Sequence, residues 1–121
     1  MSDLPYQNEP RLDLSVIEDL RALDEEGRPS VIVELGQMFL ESVPTTLRNL
    51  RESFANGDTT RVRREAHSLK SAAGNLGARR FSAICSAIES GKQNIEEGLA
   101  LLENEFGPLA IELGQQMKGA A

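Results

Sequence analysis

Apolar residues return at steps of three and four along most of this chain, the spacing of helices that each bury one face. Ser15-Val-Ile-Glu18 matches a capping box and predicts a short first helix with Val16, Ile17, Leu20 and Leu23 as its apolar positions. Gly27 and Pro29 supply its stop. Ser30 caps a long second helix whose stripe runs Ile32, Leu35, Phe39, Val43, Leu47, Leu50, Phe54. Pro44 falls within that stripe and removes the amide that would serve the Leu40 carbonyl, so a bend or a break is expected there. Asn56-Gly57 closes the helix, and Asp58 caps a third from Thr59 to Leu76. Its seam of Val62, Ala66, Leu69, Ala73 and Leu76 is narrow, of the coiled-coil kind. A fourth helix, Ala78 to Ser90, places Phe81, Ile84, Cys85 and Ile88 inward and ends at Gly91. Asn94-Ile-Glu-Glu97 opens the last, which carries Leu99, Leu102, Phe106, Leu109, Ile111 and Leu113 and is expected to kink at Pro108. No alternating run of any length predicts a strand. The fold class is all-α, an antiparallel four-helix bundle with a short additional N-terminal helix.

The 121 residues leave room for one domain, placed at residues 12–121, after a polar segment, residues 1–11. Pro5 and Pro10 make that segment a loose tail or a packed extended arm. The first ten residues lack the basic start and apolar stretch of a secretory signal, and no window is apolar enough for a membrane span. A cytoplasmic location is the expectation. One cysteine, Cys85, makes neither an intrachain disulfide nor a cysteine-built zinc site, and it lies on an apolar stripe. No metal cluster, nucleotide loop or catalytic triad is visible, so no cofactor or metal is expected and an enzyme in the ordinary sense is poorly supported.

The net charge of −6 and the 4% aromatic content argue against nucleic acid and anionic membranes as partners. The distribution changes the picture. Residues 61–80 hold six bases (Arg61, Arg63, Arg64, Lys70, Arg79, Arg80) against the single acid Glu65, and the chain's only histidine, His67, lies among them.

On a helical wheel with His67 at zero, the apolar seam of the third helix centres about 140° away. The imidazole therefore faces outward. Arg63, Arg64 and Lys70 flank it within about 60°, and Ser71, Gly74 and Ala78 within about 40°. An exposed imidazole is a nucleophile suited to a phosphoryl group, whose roughly two negative charges adjacent cations would offset. Small neighbours leave space for another protein to approach the ring. Gly74 costs roughly 1 kcal/mol relative to Ala inside a helix, and close approach of a partner is one reason to keep it. The plainer reading is a solvated basic face with a solvated histidine, and periodicity alone leaves both standing.

The stretch Ala66-His67-Ser68-Leu69-Lys70-Ser71-Ala72-Ala73-Gly74-Asn75-Leu76-Gly77-Ala78 closely resembles the signature of the histidine-containing phosphotransfer (HPt) domain family. That pattern is Ala-His-x-Leu-Lys-Gly, a small residue two later, then Gly-Ala. Phe39-Leu40-Glu41, Leu47, Leu50, Gly57-Asp58, Phe81, Cys85 and Ile88-Glu89 stand where such domains have similar residues, so the likeness covers three of the five predicted helices. One departure is Ser71, where the family usually has glycine.

The resemblance implies a phosphocarrier of a multistep two-component phosphorelay, without autokinase activity. Its histidine would accept a phosphoryl group from a receiver-domain aspartate or a hybrid sensor kinase and pass it to a response-regulator aspartate. Carried over, His67 is the phosphoacceptor, Lys70 the neighbouring cation and Gly77 the glycine closing the motif. Arg63, Arg64, Ser71, Gly74 and Ala78 enter through the wheel as docking or charge-screening candidates, and Gly77 joins them. The family-level expectation is a monomer whose partners are receiver domains. Two rivals stand beside it. A histidine-kinase dimerisation domain would follow its histidine with an acid and a Thr/Asn-Pro pair, whereas Ser68-Leu69-Lys70-Ser71 follows here. A helical adaptor without phosphochemistry would use the charged surfaces only to bind.

Overall fold

The computed structural model describes Tyr6 and residues 8–120. Five helices follow one another: α1 (Leu14–Arg21), α2 (Val31–Ala55), α3 (Thr59–Asn75), α4 (Arg79–Ser90) and α5 (Ile95–Ala120). α2, α3, α4 and α5 pack each against the next, and α5 closes back on α2, so the four form an antiparallel bundle. α1 leans on α2 and covers the turn between α3 and α4.

Each long helix turns its predicted stripe inward. Ile32, Phe39, Val43 and Leu50 of α2 meet Val62, Ala66, Leu69 and Ala73 of α3 in one core with Phe81, Ile84 and Ile88 of α4 and Leu99, Leu102, Leu109 and Leu113 of α5. Phe39 and Phe81 pack edge to face, ring centroids 5.7 Å apart. Cys85 is buried in the same core, and burial pushes its thiol up and out of the reactive range.

Several expectations are corrected by the packing. The N-cap of α1 is Asp13, whose carboxylate accepts from the Ser15 amide at 3.0 Å and from the Ser15 hydroxyl at 2.6 Å. Ser15 is therefore inside the helix rather than its cap. Ser30 does flank α2, but it makes no side-chain cap bond; the Val31 amide is served instead by the Asp24 carboxylate, 2.8 Å away. Leu23 lies beyond the end of α1 and is exposed, and Ile111 is exposed on the outer face of α5. Neither belongs to the core. The break allowed for at Pro44 does not form: α2 is continuous through it, as α5 is through Pro108. Both prolines lie on the solvent side, where water can serve the carbonyls of Leu40 and Asn104 that lose their helical donors. The caps at Asp58 and Asn94 form as expected, accepting from the amides of Arg61 and Glu97 at 3.1 Å each.

The N-terminal segment, as far as it is described, is a packed arm. Tyr6 and Leu12 are buried. Arg11 reaches α5, donating to Glu105 at 2.8 Å and to Glu112 at 3.0 Å. The Arg80 amide donates to the Pro10 carbonyl at 3.1 Å and its side chain to the Glu9 carbonyl at 3.2 Å. Residues 1–5 and Gln7, also part of the predicted tail, lie outside the described residues.

Candidate functional site

α3 carries His67 on its outer face, well away from the buried seam of Val62, Ala66, Leu69 and Ala73, and the side chain is 58% exposed. The α4 neighbour shapes what that ring can do. Nδ1 lies 2.6 Å from Oε2 of Glu89, and the other carboxylate oxygen accepts from Lys70 Nζ at 2.7 Å. A carboxylate offers only lone pairs at neutral pH, so the proton in the first contact sits on Nδ1. In the neutral ring Nε2 then keeps its lone pair, and it has no hydrogen-bond partner among the described residues. Lys70 foremost, then His67, hold the Glu89 carboxyl below its ordinary value, against the opposing effect of desolvation.

Glu89 was not singled out from the sequence as a site residue. It stands 22 positions from His67 and on another helix. The available signal was its place at the outer edge of the α4 stripe, next to the buried Ile88.

The basic cluster resolves into paired and unpaired members. Arg61 pairs with Glu65, Lys70 with Glu89, Arg79 with Asp13, and Arg80 approaches Glu105. Among the described residues, Arg63 and Arg64 make no ion pair. Arg63 extends on the α4 side near Gly91, and Arg64 lies on the α2 side with Thr46, Asn49 and Ser68. Lys70, expected as the cation neighbouring the phosphoacceptor, is engaged by Glu89.

Ser71 is exposed one turn beyond His67, its hydroxyl donating to the His67 carbonyl at 3.3 Å. Gly74 is also exposed. A Cβ there would come no closer than 3.8 Å to Ser82 Oγ, so nothing inside the bundle demands glycine. Gly77 and Ala78 do not share this face. α3 stops at Asn75 with Leu76 as its cap, so the wheel does not extend to them. Ala78, 1% exposed, is the N-cap residue of α4 and part of the core, not a docking position. Gly77 is buried beneath α1: its carbonyl accepts from the Asp13 amide at 2.7 Å. Its φ of +76° suits glycine, and an added Cβ would fall 2.9 Å from both the Asp13 carbonyl oxygen and Val16 Cβ. It is withdrawn from the docking surface for that reason.

An all-α bundle that holds one imidazole on its outer face, with one ring nitrogen anchored and the other bare, has the build of a histidine phosphocarrier. Comparison with known proteins agrees. Residues 34–119 match the Hpt domain family. A crystal structure of histidine-containing phosphotransfer protein B (HptB) from Pseudomonas aeruginosa PAO1 aligns with a TM-score of 0.80 and 26% sequence identity, over 93% of this chain and 98% of that one. No curated protein matches the chain at a significant level. The chain belongs to the Hpt domain family.

Proposed function

We propose that His67 is the residue on which this chain carries its phosphoryl group, through Nε2. The role itself, histidine phosphotransfer in a two-component phosphorelay, follows from membership of the family. The observation that carries the assignment is the contact between His67 Nδ1 and Glu89, which leaves Nε2 as the available nucleophile. In the forward step the Nε2 lone pair attacks phosphorus of an aspartyl phosphate. The N–P bond forms, the P–O bond to the carboxylate breaks, and the carboxylate departs with the bonding pair. The positive charge left on the ring, with its proton still on Nδ1, is offset by Glu89. Transfer onward to a second aspartate reverses these events.

The chain acts as a phosphocarrier without autokinase activity, in the cytoplasm, as a monomer that engages receiver domains and neither nucleic acid nor membrane. No helix among the described residues is long and apolar enough to cross a membrane. Ser71, Gly74, Arg63 and Arg64 border the ring as docking or charge-screening residues. Incubation with a phosphorylated receiver domain tests the reading. Acid-labile, base-stable phosphate on this chain supports it, and a chain that stays unlabelled is an adaptor without phosphochemistry.

Lys70 has two roles to divide, holding Glu89 at rest and offsetting phosphoryl charge during transfer. Because it is largely covered but still solvent-accessible, Lys70→Ala is expected to slow transfer roughly two- to fivefold rather than abolish it. Rates equal to the parent at both low and physiological salt would reduce Lys70 to a solubilising side chain.

Glu89→Ala removes the acceptor at Nδ1. Transfer is expected to fall roughly tenfold, short of the 10²–10⁴-fold lost with a general base, since the nucleophile remains. With a single histidine in the chain, ¹⁵N NMR reads the tautomer directly: the Nδ1–H form dominates in the parent and loses its preference in the variant. The pH dependence has a definite sign. Because the Glu89 carboxyl is lowered in the folded chain, its pairing is fully present above the ordinary carboxylate value and is lost as pH falls through the depressed one. An unchanged tautomer in Glu89→Ala would mean that the carboxylate does not orient the ring.

A further inference from the structure

Glu89 meets the imidazole at the nitrogen that does not carry phosphorus. Its Oε2 lies 2.6 Å from Nδ1, and Lys70 Nζ holds Oε1 at 2.7 Å, so the carboxylate is pinned between two donors. Among the described residues it is the one carboxylate hydrogen-bonded to the ring. α3 itself carries Lys70, Arg63 and Arg64 within about a turn of His67, and its Glu65 is paired with Arg61. The α2 side chains beside Arg64 and Ser68, Thr46 and Asn49, have no charge, and Glu9 of the N-terminal arm borders the cleft beyond Lys70. The Nδ1 proton therefore has a single anionic acceptor.

That proton decides how the N–P bond behaves once Nε2 is phosphorylated. When a receiver aspartate or water attacks phosphorus, an O–P bond forms, the N–P bond breaks, and its electron pair returns to Nε2. With Nδ1 protonated, the departing group is neutral imidazole. Without the proton it is the imidazolide anion, a far stronger base and a poor leaving group. The phosphorylated ring with its Nδ1 proton is a cation, and an opposite charge in contact favours it over the neutral form.

We propose that Glu89 keeps the Nδ1 proton on phosphorylated His67 and thereby sets the lifetime of the N–P bond, favouring prompt release over storage. Glu89 is a positioning residue in this role, since it does not meet phosphorus and acts through the ring. The inference rests on His67 being the acceptor through Nε2, and it adds what makes the phosphoryl group leave. A scaffolding role would have a different signature. A loosened site transfers more slowly but holds its phosphate no longer, whereas loss of the carboxylate charge slows departure to aspartate and to water alike.

The full chain is compared with Glu89→Gln, whose amide oxygen still accepts from Nδ1 but has no charge, and with Glu89→Ala. The side chain is 29% exposed, and melting curves verify folding. Each chain is loaded with phosphoramidate, a donor that needs no docking, and the donor is removed. Loss of phosphate is then followed from about pH 6 to about pH 8, alongside ¹⁵N NMR of the loaded ring. At about pH 8 the parent is expected to lose phosphate about tenfold faster than either variant, with rates within about twofold near pH 6, where solvent protonates every ring. Onward transfer to a receiver domain that accepts from the parent should fall together with hydrolysis in both variants. Loss rates that coincide at every pH, or slower loss from the parent at the higher one, would overturn the proposal. Where a variant takes too little label to follow, the parent's NMR series decides: an Nδ1 proton lost over the same range as in free phosphohistidine overturns it, and one retained to higher pH upholds it. A parent that phosphoramidate fails to label would instead remove the acceptor assignment on which the proposal stands.

Discussion

His67→Gln leaves the bundle folded and takes up no phosphate. The side chain lies on the outer face of α3, where no core packing depends on it, so thermal stability should stay within about 0.5 kcal/mol of the parent. Glutamine is close to histidine in size and can still offer its amide N–H to Glu89, so the Lys70–Glu89 pair keeps its surroundings. What it lacks is a basic nitrogen lone pair. With no other histidine in the chain, transfer from a phosphorylated receiver should drop to background. Acid-labile, base-stable label persisting in this variant would exclude histidine chemistry altogether. Circular dichroism and a melting curve on the same preparation separate lost chemistry from lost fold.

Gly77→Ala is expected to be the most destabilising single methyl addition near the site. Two costs combine. A left-handed φ costs an L-residue roughly 1–2 kcal/mol, and overpacking against the Asp13 carbonyl and Val16 adds roughly 1–3 kcal/mol. A loss of about 3 kcal/mol lowers Tm on the order of 10 °C in a chain of this size. Gly57→Ala is the matched control: its φ is +72°, but nothing lies within 4 Å of the added Cβ, so only the backbone cost applies. A Tm for Gly77→Ala equal to that of Gly57→Ala would show that α1 yields freely and does not lock the α3–α4 turn. The expected difference assigns the motif's closing glycine to the attachment of α1, away from the partner surface.

Most of the bundle was legible from spacing because each long helix has a single apolar stripe, and burial acts on that stripe whatever the partner. Ile32 to Leu50 and Val62 to Leu76 therefore point inward as the pattern requires. Leu23 and Ile111 fall outside the rule for a simple reason. One side chain lies past its helix end and the other lies off its stripe, and the spacing of a whole segment does not report either. Pro44 and Pro108 do not interrupt their helices, since each lies on the exposed face, where water can serve the freed carbonyl.

The sequence by itself determined the helical class, the outward position of His67 and the small, basic character of its surroundings, because all three depend on periodicity within one helix. The tertiary structure alone decided which nitrogen is free. Glu89 comes from α4, and its distance to His67 depends on how closely α3 and α4 pack, which no pattern within either helix encodes. The same packing engaged Lys70 with Glu89, left Arg63 and Arg64 without an ion pair among the described residues, and withdrew Gly77 beneath α1 and Ala78 into the core. Exposure follows from a residue's own helix, but pairing requires a second one.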